Sequence, residues 1–276
     1  MADAKNAIQI DGLCYTYNSA AGINALDNIN LSIAGNEFIA VIGENGSGKT
    51  TLLKNITGLL RPSKGAIYLY GKDSREMSVS AISKEIGFVM QNPDRQLFAD
   101  TVHAEVAFAL KNAKLAESEI KRRVENALAE VELSDKRDSY PPAMSRGERA
   151  KVVIASVIAM EPKIIILDEP TGGQDYRSGL KIMDIATRLH DKGRAIIFVT
   201  HNMPLACAYA RRIIVMRERR VVMDGSAEDI FCHTPENAHI LPPQITRLSR
   251  ELRKKLPLPK DALTVPELGE MLTTLA

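Results

Sequence analysis

The sequence has few cysteines, and their positions exclude two common uses of this residue. The three cysteines, Cys14, Cys207 and Cys232, are well separated and form neither a disulfide framework nor a paired metal-binding motif. Sparse, unpaired cysteines are typical of proteins in a reducing compartment. We therefore expect a cytosolic protein.

Long hydrophobic runs are also missing. The most apolar segments, 152–160 and 164–167, fall well short of the roughly 18 to 20 residues that a helix needs to cross a bilayer. No signal sequence is recognisable at the start of the chain. We therefore expect any contact with a membrane to be made through a partner protein.

Neither sign of charge is in excess. The 276 residues include 36 Lys and Arg and 34 Asp and Glu, and the net charge of +2 is too balanced to indicate nucleic-acid binding by composition alone. Hydrophobic residues make up 45% of the chain, so it can bury a sizeable core and is not disordered. The length suits one large domain or two small ones.

Short β-branched segments near the start of the sequence indicate strands at 8–10, 29–33 and 38–42. The last of these, FIAVI, is almost continuously hydrophobic, which is typical of a strand that is buried on both faces. A glycine-rich loop and a helical pattern at 51–60 follow it. This part of the chain therefore predicts a strand, a loop and a helix in succession.

The later parts of the chain differ in character. From about residue 100 to residue 131, apolar residues recur at helical spacing among charged ones, which predicts a helical subdomain. Beyond it, apolar strands at 163–168 and 195–200 flank a helical pattern, and this order predicts a parallel sheet. A proline-rich tail from about residue 234 carries two short amphipathic patterns, at 244–255 and 265–275.

Residues 43–50, GENGSGKT, match the phosphate-loop pattern G-x-x-x-x-G-K-[ST] between a buried strand and a helix. Glycines let successive backbone N–H groups converge on phosphate oxygens at the positive end of the helix. Lys49 can then reach the β- and γ-phosphates, and the Thr50 hydroxyl can bind Mg²⁺. The motif predicts a nucleoside triphosphate ligand, but small-molecule kinases, GTPases, motors and transporters all share it.

Polar side chains follow three other apolar segments. Asp168 and Glu169 end the segment at 163–168, where Asp168 would hold Mg²⁺ through water and Glu169 would act as a general base, which favours hydrolysis. His201 ends the next strand and can bind the γ-phosphate or orient the water. Gln91 can bind Mg²⁺ through its carbonyl oxygen. The structural alternatives are a helix cap for the two acids and an ordinary packing role for the histidine.

Tyr17 lies 26 residues before Gly43 and can stack on an adenine ring, although a tyrosine of the core or surface is the ordinary alternative. The candidate nucleotide-binding residues are Tyr17, Gly43, Glu44, Asn45, Gly46, Ser47, Gly48, Lys49, Thr50 and Thr51. The candidate Mg²⁺ ligands are Thr50, Gln91 and Asp168, and the candidate catalytic residues are Glu169, His201 and Gln91.

In order and spacing, GENGSGKT, Gln91, the helix start at Ser145, ILDEPT and His201 resemble the nucleotide-binding subunit of ATP-binding cassette transporters. The resemblance covers nearly the whole chain. It implies an α/β fold: a P-loop NTPase core with a mostly parallel sheet, an antiparallel β subdomain, an inserted helical subdomain and here a C-terminal helical tail. It also implies a sandwich dimer that holds two ATP molecules with Mg²⁺.

That family's signature motif, L-S-G-G-Q, closes over the γ-phosphate of the opposite subunit's ATP. Here the signature segment, residues 144–148, is MSRGE. The resemblance therefore implies four residues that act on the partner's ATP: Ser145, Arg146, Gly147 and Glu148. The family's next conserved segment carries an aspartate, which corresponds to Asp175, but its serine and leucine are replaced in TGGQD, residues 171–175.

Two further stretches, 91–110 and 241–268, resemble the ATPases of energy-coupling-factor importers, which take up vitamins or nickel and cobalt ions. The resemblance implies an ATPase domain at 6–233, with its helical subdomain at about 92–160, and a tail at 234–276 that contacts a second ATPase. It also implies a transmembrane coupling subunit and a separate membrane subunit that binds the solute. We expect a peripheral protein on the cytoplasmic face of the membrane, in a homodimer or, by preference, a heterodimer.

Two rival functions remain open. A soluble cassette ATPase that acts on nucleic acid or the ribosome usually carries two cassettes, long coiled coils or zinc-bearing insertions, and the sequence has none of these features. Its balanced charge also offers no attraction to a polyanion, so we expect no nucleic-acid partner. A regulator that binds the nucleotide without turnover is opposed by Glu169, but it would follow if the altered signature segment were inactive.

The signature segment has the spacing of a capping box, in which Ser145 and Glu148 begin a helix. A cap does not explain Gly147, whereas the close approach of a phosphate explains both Ser145 and Gly147. Arg146 can help to hold phosphate, but the Glu148 carboxylate would oppose it. Our hypothesis is that the signature segment is weakened and that the chain pairs with a different ATPase.

Overall fold

The computed structural model describes residues 6–17, 22, 24–232 and 240–275. In these ranges the chain forms ten β-strands and ten α-helices. The strands are β1 (Asn6–Thr16), β2 (Asn24–Ala34), β3 (Phe38–Ile42), β4 (Lys64–Leu69), β5 (Lys72–Asp73), β6 (Ile86–Val89), β7 (Ile164–Asp168), β8 (Ala195–Val199), β9 (Arg212–Arg217) and β10 (Arg220–Gly225). The boundary that we expect between 233 and 234 lies outside the described residues.

The helices connect these strands and complete the tail. They are α1 (Lys49–Ile56), α2 (Val79–Glu85), α3 (Val102–Asn112), α4 (Glu117–Glu130), α5 (Arg146–Ile158), α6 (Tyr176–Asp191), α7 (Met203–Tyr209), α8 (Ala227–Phe231), α9 (Gln244–Arg253) and α10 (Val265–Leu275). None of the helices in the described ranges is long and apolar enough to span a bilayer.

The strands build two sheets. Six strands form the order β10-β9-β3-β8-β7-β6, in which every pair is parallel except β9 with β10. Four strands form an antiparallel sheet in the order β2-β1-β4-β5. The predicted parallel sheet and antiparallel β subdomain are therefore confirmed.

The central strands of the six-stranded sheet are buried on both faces, as the continuous hydrophobicity of β3 predicts, whereas the edge strand β10 is partly exposed. Side chains alternate along β3, so Phe38 and Ile42 join the core beneath the helices, whereas Ile39 and Val41 join the core that includes β1, β2 and α1. Strands β3, β7 and β8 have five residues each, and all of these residues are buried. This central sheet is the rigid support for the loops at its edge.

The segment between β6 and β7 is helical, as predicted for its first part. Thr101 caps α3 by accepting a hydrogen bond from the backbone N–H of Ala104, and α3 packs against α4 and α5. The amphipathic α4 buries Ile120, Val124 and Leu128 on one face. The limits of this region as a subdomain, at about 92 and 160, stay a prediction.

The tail residues form α9 and α10, which pack around a small core of Leu258, Ala262 and Leu268. Asp261, whose side chain is only 5% exposed, accepts hydrogen bonds from Arg250 (2.7 Å) and Arg253 (2.9 Å). Burial would raise the pKa of Asp261, but the bonds from the two arginines outweigh it and lower the pKa. Arg250 also donates to the carbonyl of Phe231, which links the tail to α8.

We expect Asp261→Asn to destabilise the tail by about 2 kcal/mol, because it removes a buried charge between two arginines and presents an amide NH2 to one of them in place of an acceptor oxygen. Limited proteolysis should then cleave between α9 and α10, and urea unfolding should show the loss. Glu251→Gln is the matched control, because Glu251 is exposed and pairs with Lys254 at the surface. Equal behaviour of the two variants would contradict this account of the tail.

Candidate functional site

The carboxyl ends of three neighbouring strands define the candidate site. Strand β8 lies between β3 and β7 and is parallel to both, so residues that follow these strands meet at one edge of the sheet. The phosphate loop (residues 43–50) follows β3, Asp168 and Glu169 lie at the end of β7, and His201 follows β8. Edges of this kind bind ligands in open parallel sheets.

The phosphate loop holds its lysine in place through the backbone. The Lys49 ammonium donates hydrogen bonds to the carbonyls of Gly43 (2.8 Å) and Glu44 (2.9 Å). Lys49 is buried, and burial lowers its pKa, although the charges of Glu169 and Asp168 act in the opposite direction. The positive charge of Lys49 is thus held at the start of α1, where the free backbone N–H groups of the helix also point outward.

Two glycines are required by the packing of this loop. Gly43 has φ of +148°, and a Cβ at this position would lie 2.1 Å from the carbonyl oxygen of Met216. Gly48, with φ of +103°, caps α1, and a Cβ there would lie 2.8 Å from the carbonyl oxygen of Ala25. Larger residues would push the loop away from β9 and β2.

Two oxygen-bearing side chains of the predicted Mg²⁺ site are in contact. The Thr50 hydroxyl donates a hydrogen bond to Asp168 over 3.1 Å. Burial raises the pKa of Asp168, the Thr50 bond opposes the shift, and the nearby Glu169 adds to it. A hydroxyl beside a carboxylate is the oxygen donor set that suits Mg²⁺, so these residues fit the predicted metal.

Glu169 lies at the centre of three side chains. Its carboxylate accepts a hydrogen bond from the Gln91 amide at 3.1 Å and lies 3.2 Å from Nδ1 of His201. The residue has φ of +48°, a left-handed conformation that is strained for glutamate, and its N–H donates to the carbonyl of Val199. The structure therefore brings together the three residues that the sequence predicts to be catalytic.

A cavity of about 580 Å³ lies over the phosphate loop. Nine predicted residues line it: Tyr17, Asn45, Gly46, Gly48, Lys49, Thr50, Thr51, Gln91 and Glu169. Four other predicted residues contact side chains that line this cavity: Asp168 contacts Thr50, His201 contacts Glu169, and Gly43 and Glu44 contact Lys49. Ser47 is buried within the loop, where its N–H donates to the carbonyl of Glu44.

Tyr17 lies at the rim of this cavity rather than in the core. Its side chain is 60% exposed, its hydroxyl is 3.1 Å from that of Thr51, and its ring meets Tyr15 edge to face at 5.0 Å. An exposed aromatic face at the open end of the cavity over the phosphate loop is available for stacking.

Three lining residues were not predicted: Asn24, Ala25 and Arg219. Arg219 lies in the turn between β9 and β10 with φ of +70°, and its carbonyl accepts a hydrogen bond from the N–H of Asp27 at 2.9 Å. None of these residues belongs to a motif: Asn24 and Ala25 begin β2 and only Arg219 lies in a turn, so no pattern in the sequence marked them. Pairing between distant strands brings them to the cavity.

The capping box at the start of α5 is confirmed. Ser145 accepts a hydrogen bond from the N–H of Glu148, and Glu148 accepts bonds from the N–H and the hydroxyl of Ser145. Glu148 also pairs with Lys136, and these bonds, led by that from Lys136, lower its pKa to about 2. The Glu148 carboxylate, which we expected to oppose a phosphate, is thus bonded to Ser145 and Lys136 of its own chain.

Gly147 has a structural role that the sequence did not indicate. A Cβ at this position would lie 3.3 Å from the Cβ of Ser178, so a side chain would press on the first turn of α6. Asp175 caps the same helix by accepting hydrogen bonds from the N–H (3.0 Å) and the hydroxyl (2.6 Å) of Ser178, and these bonds lower the pKa of Asp175. Gly147 therefore allows α5 and α6 to approach.

We expect Glu148→Gln to destabilise the protein at neutral pH, since it removes the bonds that keep the folded-state pKa of this carboxyl below its ordinary value of 4.5. The stabilisation is complete above the ordinary pKa and is lost as the pH falls toward about 2. Urea unfolding at a series of pH values should show that the free energies of unfolding of Glu148→Gln and of the unchanged protein converge in acid. Glu125→Gln, on the exposed face of α4, is the control, and a pH-independent gap would contradict the assignment.

Comparison with known proteins gives consistent results for the whole chain. Residues 26–172 match the family model described as ABC transporter. The chain is 40% identical over 269 residues to a putative ABC transporter ATP-binding protein of Methanosarcina acetivorans, an alignment that spans 96% of this chain and 43% of that protein. The chain thus spans less than half the length of the first curated relatives that it matches.

Other relatives match along nearly their full length. The energy-coupling factor transporter ATP-binding protein EcfA2 of Caldanaerobacter subterraneus subsp. tengcongensis is 40% identical over 272 residues, which are 95% of each chain. The structure of cbiO1 from Clostridium perfringens, part of the ABC transporter complex cbiONQ, has a TM-score of 0.78 at 32% identity and covers 98% of this chain and 99% of that chain. The structure of a dimeric ATP-binding cassette bound to ADP and Pi has a TM-score of 0.72 at 28% identity. The match covers 79% of this chain and 98% of that chain.

Proposed function

The chain belongs to the ABC transporter family, and from this premise we propose that it binds and hydrolyses ATP to energise a membrane importer of the energy-coupling-factor type. The solute class would be a vitamin or a transition-metal ion. One observation carries the proposal: the phosphate loop, the Thr50–Asp168 pair and the contacts of Glu169 with Gln91 and His201 lie at one edge of the sheet.

ATP would lie in the cavity over the phosphate loop with its adenine against Tyr17 and its phosphates over residues 43–51. Lys49 is held at the base of this cavity by two carbonyls, so its charge is oriented before the nucleotide arrives. Preorganised charge of this kind costs no rearrangement when phosphate binds. Gly46 and Gly48 leave the backbone N–H groups uncovered for the phosphate oxygens.

The substrate would be the complex of ATP with Mg²⁺, and Thr50, Asp168 and Gln91 would hold the metal. Mg²⁺ supplies positive charge that neutralises the phosphate oxygens and the departing ADP. Burial raises the pKa of Asp168 because it disfavours the charged carboxylate, and a bound cation would offset this cost. We therefore assign the Thr50–Asp168 contact as the metal side of the site.

Hydrolysis would begin with a water held by Glu169. The carboxylate takes a proton from the water as its oxygen attacks the γ-phosphorus, the bond to the bridging oxygen breaks, and ADP and phosphate leave. His201 and Gln91 touch the same carboxylate, so they would orient it and the water together. The strained backbone of Glu169 directs its side chain toward this position.

A second ATPase subunit would complete the site. We assign the signature segment to the partner's ATP, with Ser145 and the N–H groups at the start of α5 facing phosphate and with Asp175 near the shared boundary. The dimeric state of the ADP-bound cassette with 28% identity supports a pair of such chains. The partner would be a second copy or, by preference, a different ATPase, and the tail would contribute to the same contact.

An apolar groove supports the proposed transmembrane partner. Leu59, Val79, Phe98 and Phe108 are exposed and line a cavity of about 700 Å³, and the two phenylalanines meet edge to face at 4.6 Å. A groove of this kind suits an amphipathic helix that lays its apolar face into it. We propose that a helix of the coupling subunit docks there, on the cytoplasmic face, while a separate membrane subunit binds the solute.

Affinity purification of the tagged chain from membranes tests this proposal. We expect a membrane protein of several helices to copurify, and we expect Phe98→Asp combined with Phe108→Asp to lose it, because the groove would then bury charge. Val222→Asp is the control, since it places a carboxylate on exposed β10, at the opposite edge of the sheet from β6. Recovery only in complexes with DNA or ribosomes would contradict the proposal.

A further inference from the structure

The start of α5 touches the loop that follows Glu169 in the same chain. A Cβ placed at Gly173 would lie 2.8 Å from Cζ of Arg146 and 3.0 Å from each of its two terminal nitrogens. The carbon–nitrogen bonds of a guanidinium are about 1.3 Å long, so an approach by its edge would bring one nitrogen much closer than the carbon. The nearly equal distances mean that the flat face of the guanidinium covers Gly173.

Glycine at position 173 leaves room for this contact. This residue has φ of +68°, which glycine adopts without cost, and it carries no Cβ to meet the guanidinium. Both partners lie in segments that depart from the family pattern, MSRGE and TGGQD. The structure thus places the arginine that departs from the family pattern on a glycine of a segment that also departs from it.

The same loop leads directly to the catalytic carboxylate. The N–H of Gly172 donates to the carbonyl of Glu169 at 3.0 Å, and the side-chain amide of Gln174 donates to the carbonyl of Pro170 at 2.9 Å. These bonds make residues 169–175, here called the Glu169 loop, a tightly closed turn. Gly173 and the backbone of Glu169 therefore belong to one hydrogen-bonded turn.

Arg146 also faces the catalytic side of its own chain. It lines a cavity of about 550 Å³ together with Gly173, Glu169, His201 and Asp168. Among the residues that the structure describes, no carboxylate forms an ion pair with Arg146. The contact with Gly173 is therefore a packing contact of a planar group and not a salt bridge.

We propose that Arg146 is a positioning residue that ties the Glu169 loop to the start of α5 within one chain. When α5 moves, the guanidinium carries the loop with it, and Glu169 changes its position relative to the phosphate loop. The helix and the loop form one contiguous unit, which is the requirement for mechanical coupling of this kind. The inference rests on the proposed function for its consequence, but the contact itself does not require hydrolysis.

Hydrogen exchange of the isolated full-length chain tests the contact without any turnover. In Arg146→Ala, amides of the Glu169 loop should exchange roughly threefold to tenfold faster, the effect expected when a coupling contact is lost. Arg149→Ala is the matched control, because Arg149 lies on the same helix but contacts Asp94 and the carbonyl of Met144. Unchanged exchange in the loop of Arg146→Ala would overturn the proposal.

Arg146→Lys separates packing from charge. Lysine keeps the positive charge but lacks the planar group that covers Gly173. We therefore expect Arg146→Lys to exchange as fast as Arg146→Ala in the Glu169 loop. Full rescue by lysine would show that charge alone holds the loop, and it would overturn the proposed contact.

A double-mutant cycle in the assembled complex tests the consequence. Arg146→Ala and Gly173→Ala should each lower kcat roughly threefold to tenfold with little change in KM for ATP, and the double variant should be no slower than the slower single variant. Gly71→Ala controls for backbone strain, because Gly71 has φ of +80° and no neighbour within 4 Å of an added Cβ. Additive losses would overturn the coupling, whereas absence of hydrolysis in the unchanged complex would refute the proposed function and leave the exchange result valid.

Discussion

Replacing Glu169 with glutamine should lower the maximal rate of ATP hydrolysis roughly 100-fold to 10,000-fold while MgATP still binds, because the amide keeps the shape of the side chain and cannot accept the proton. The carboxylate contacts Gln91 and His201, which we assign to orienting it and the water rather than to accepting the proton, so Glu169 is the proposed base of this cluster. ATP should remain trapped in the closed complex. Single-turnover assays with labelled ATP, together with equilibrium binding, measure the two effects separately.

The control for this variant is Glu125→Gln, the same change on the exposed face of α4. It should leave turnover and binding as they are in the unchanged protein. Steady-state hydrolysis by Glu169→Gln at the unchanged rate would remove Glu169 as the base. Loss of ATP binding would instead mean that the carboxylate acts on the nucleotide before the chemical step.

Replacing Gly43 with alanine should destroy the phosphate loop. The added Cβ would lie 2.1 Å from the carbonyl oxygen of Met216, which belongs to β9 and is held in the sheet by its pairing with Val221 of β10. Overpacking of this size costs about 3 kcal/mol of stability. The loop would have to shift by about 1 Å, and hydrolysis should fall roughly 100-fold as its phosphate contacts are misplaced.

Gly71→Ala is the matched comparison for Gly43→Ala. Gly71 has a positive φ of +80°, but an added Cβ would meet no atom within 4 Å, so only the backbone strain of about 1 kcal/mol remains. Urea unfolding and ATP binding of the two variants separate steric overlap from strain. Equal losses in both would show that the close approach to β9 is unimportant.

Much of the fold could be predicted because its signals are local. The hydrophobicity of 38–42, 163–168 and 195–200 indicated strands, the first of them buried on both faces, and the structure shows β3, β7 and β8 buried throughout. The order of strand, helix and strand then implied parallel pairing. The place of β8 between β3 and β7 could not be derived in this way, since strand order depends on contacts between residues far apart in the chain.

In the candidate site, too, residues in local motifs could be predicted, whereas residues that distant packing brings in could not. The phosphate loop and the two acids were predicted from short motifs whose chemistry is contained in the motif itself. Arg219 was missed because a turn residue enters the cavity only when β9 and β10 pack beside β2, where Asp27 bonds to its carbonyl. No pattern within a few residues records that approach.

The signature segment shows the difference most clearly. Its capping box could be predicted, because Ser145 and Glu148 are three residues apart and the bonds lie within one turn of helix. The sequence did not reveal that Glu148 pairs with Lys136 or that Gly147 lies against Ser178. Our expectation of a carboxylate aimed at phosphate was therefore incomplete, since it considered the helix start without its neighbours.

By itself, the amino-acid sequence predicted a nucleoside triphosphate ligand and determined many of the strand and helix segments and the place of the two acids, because hydrogen bonds within a turn and a loop of fixed length depend on neighbouring residues. Only the tertiary structure decided where charges are neutralised, which glycines must stay small and which arginine covers Gly173. These features depend on packing between elements that are distant in the chain, and packing is set by the fold as a whole.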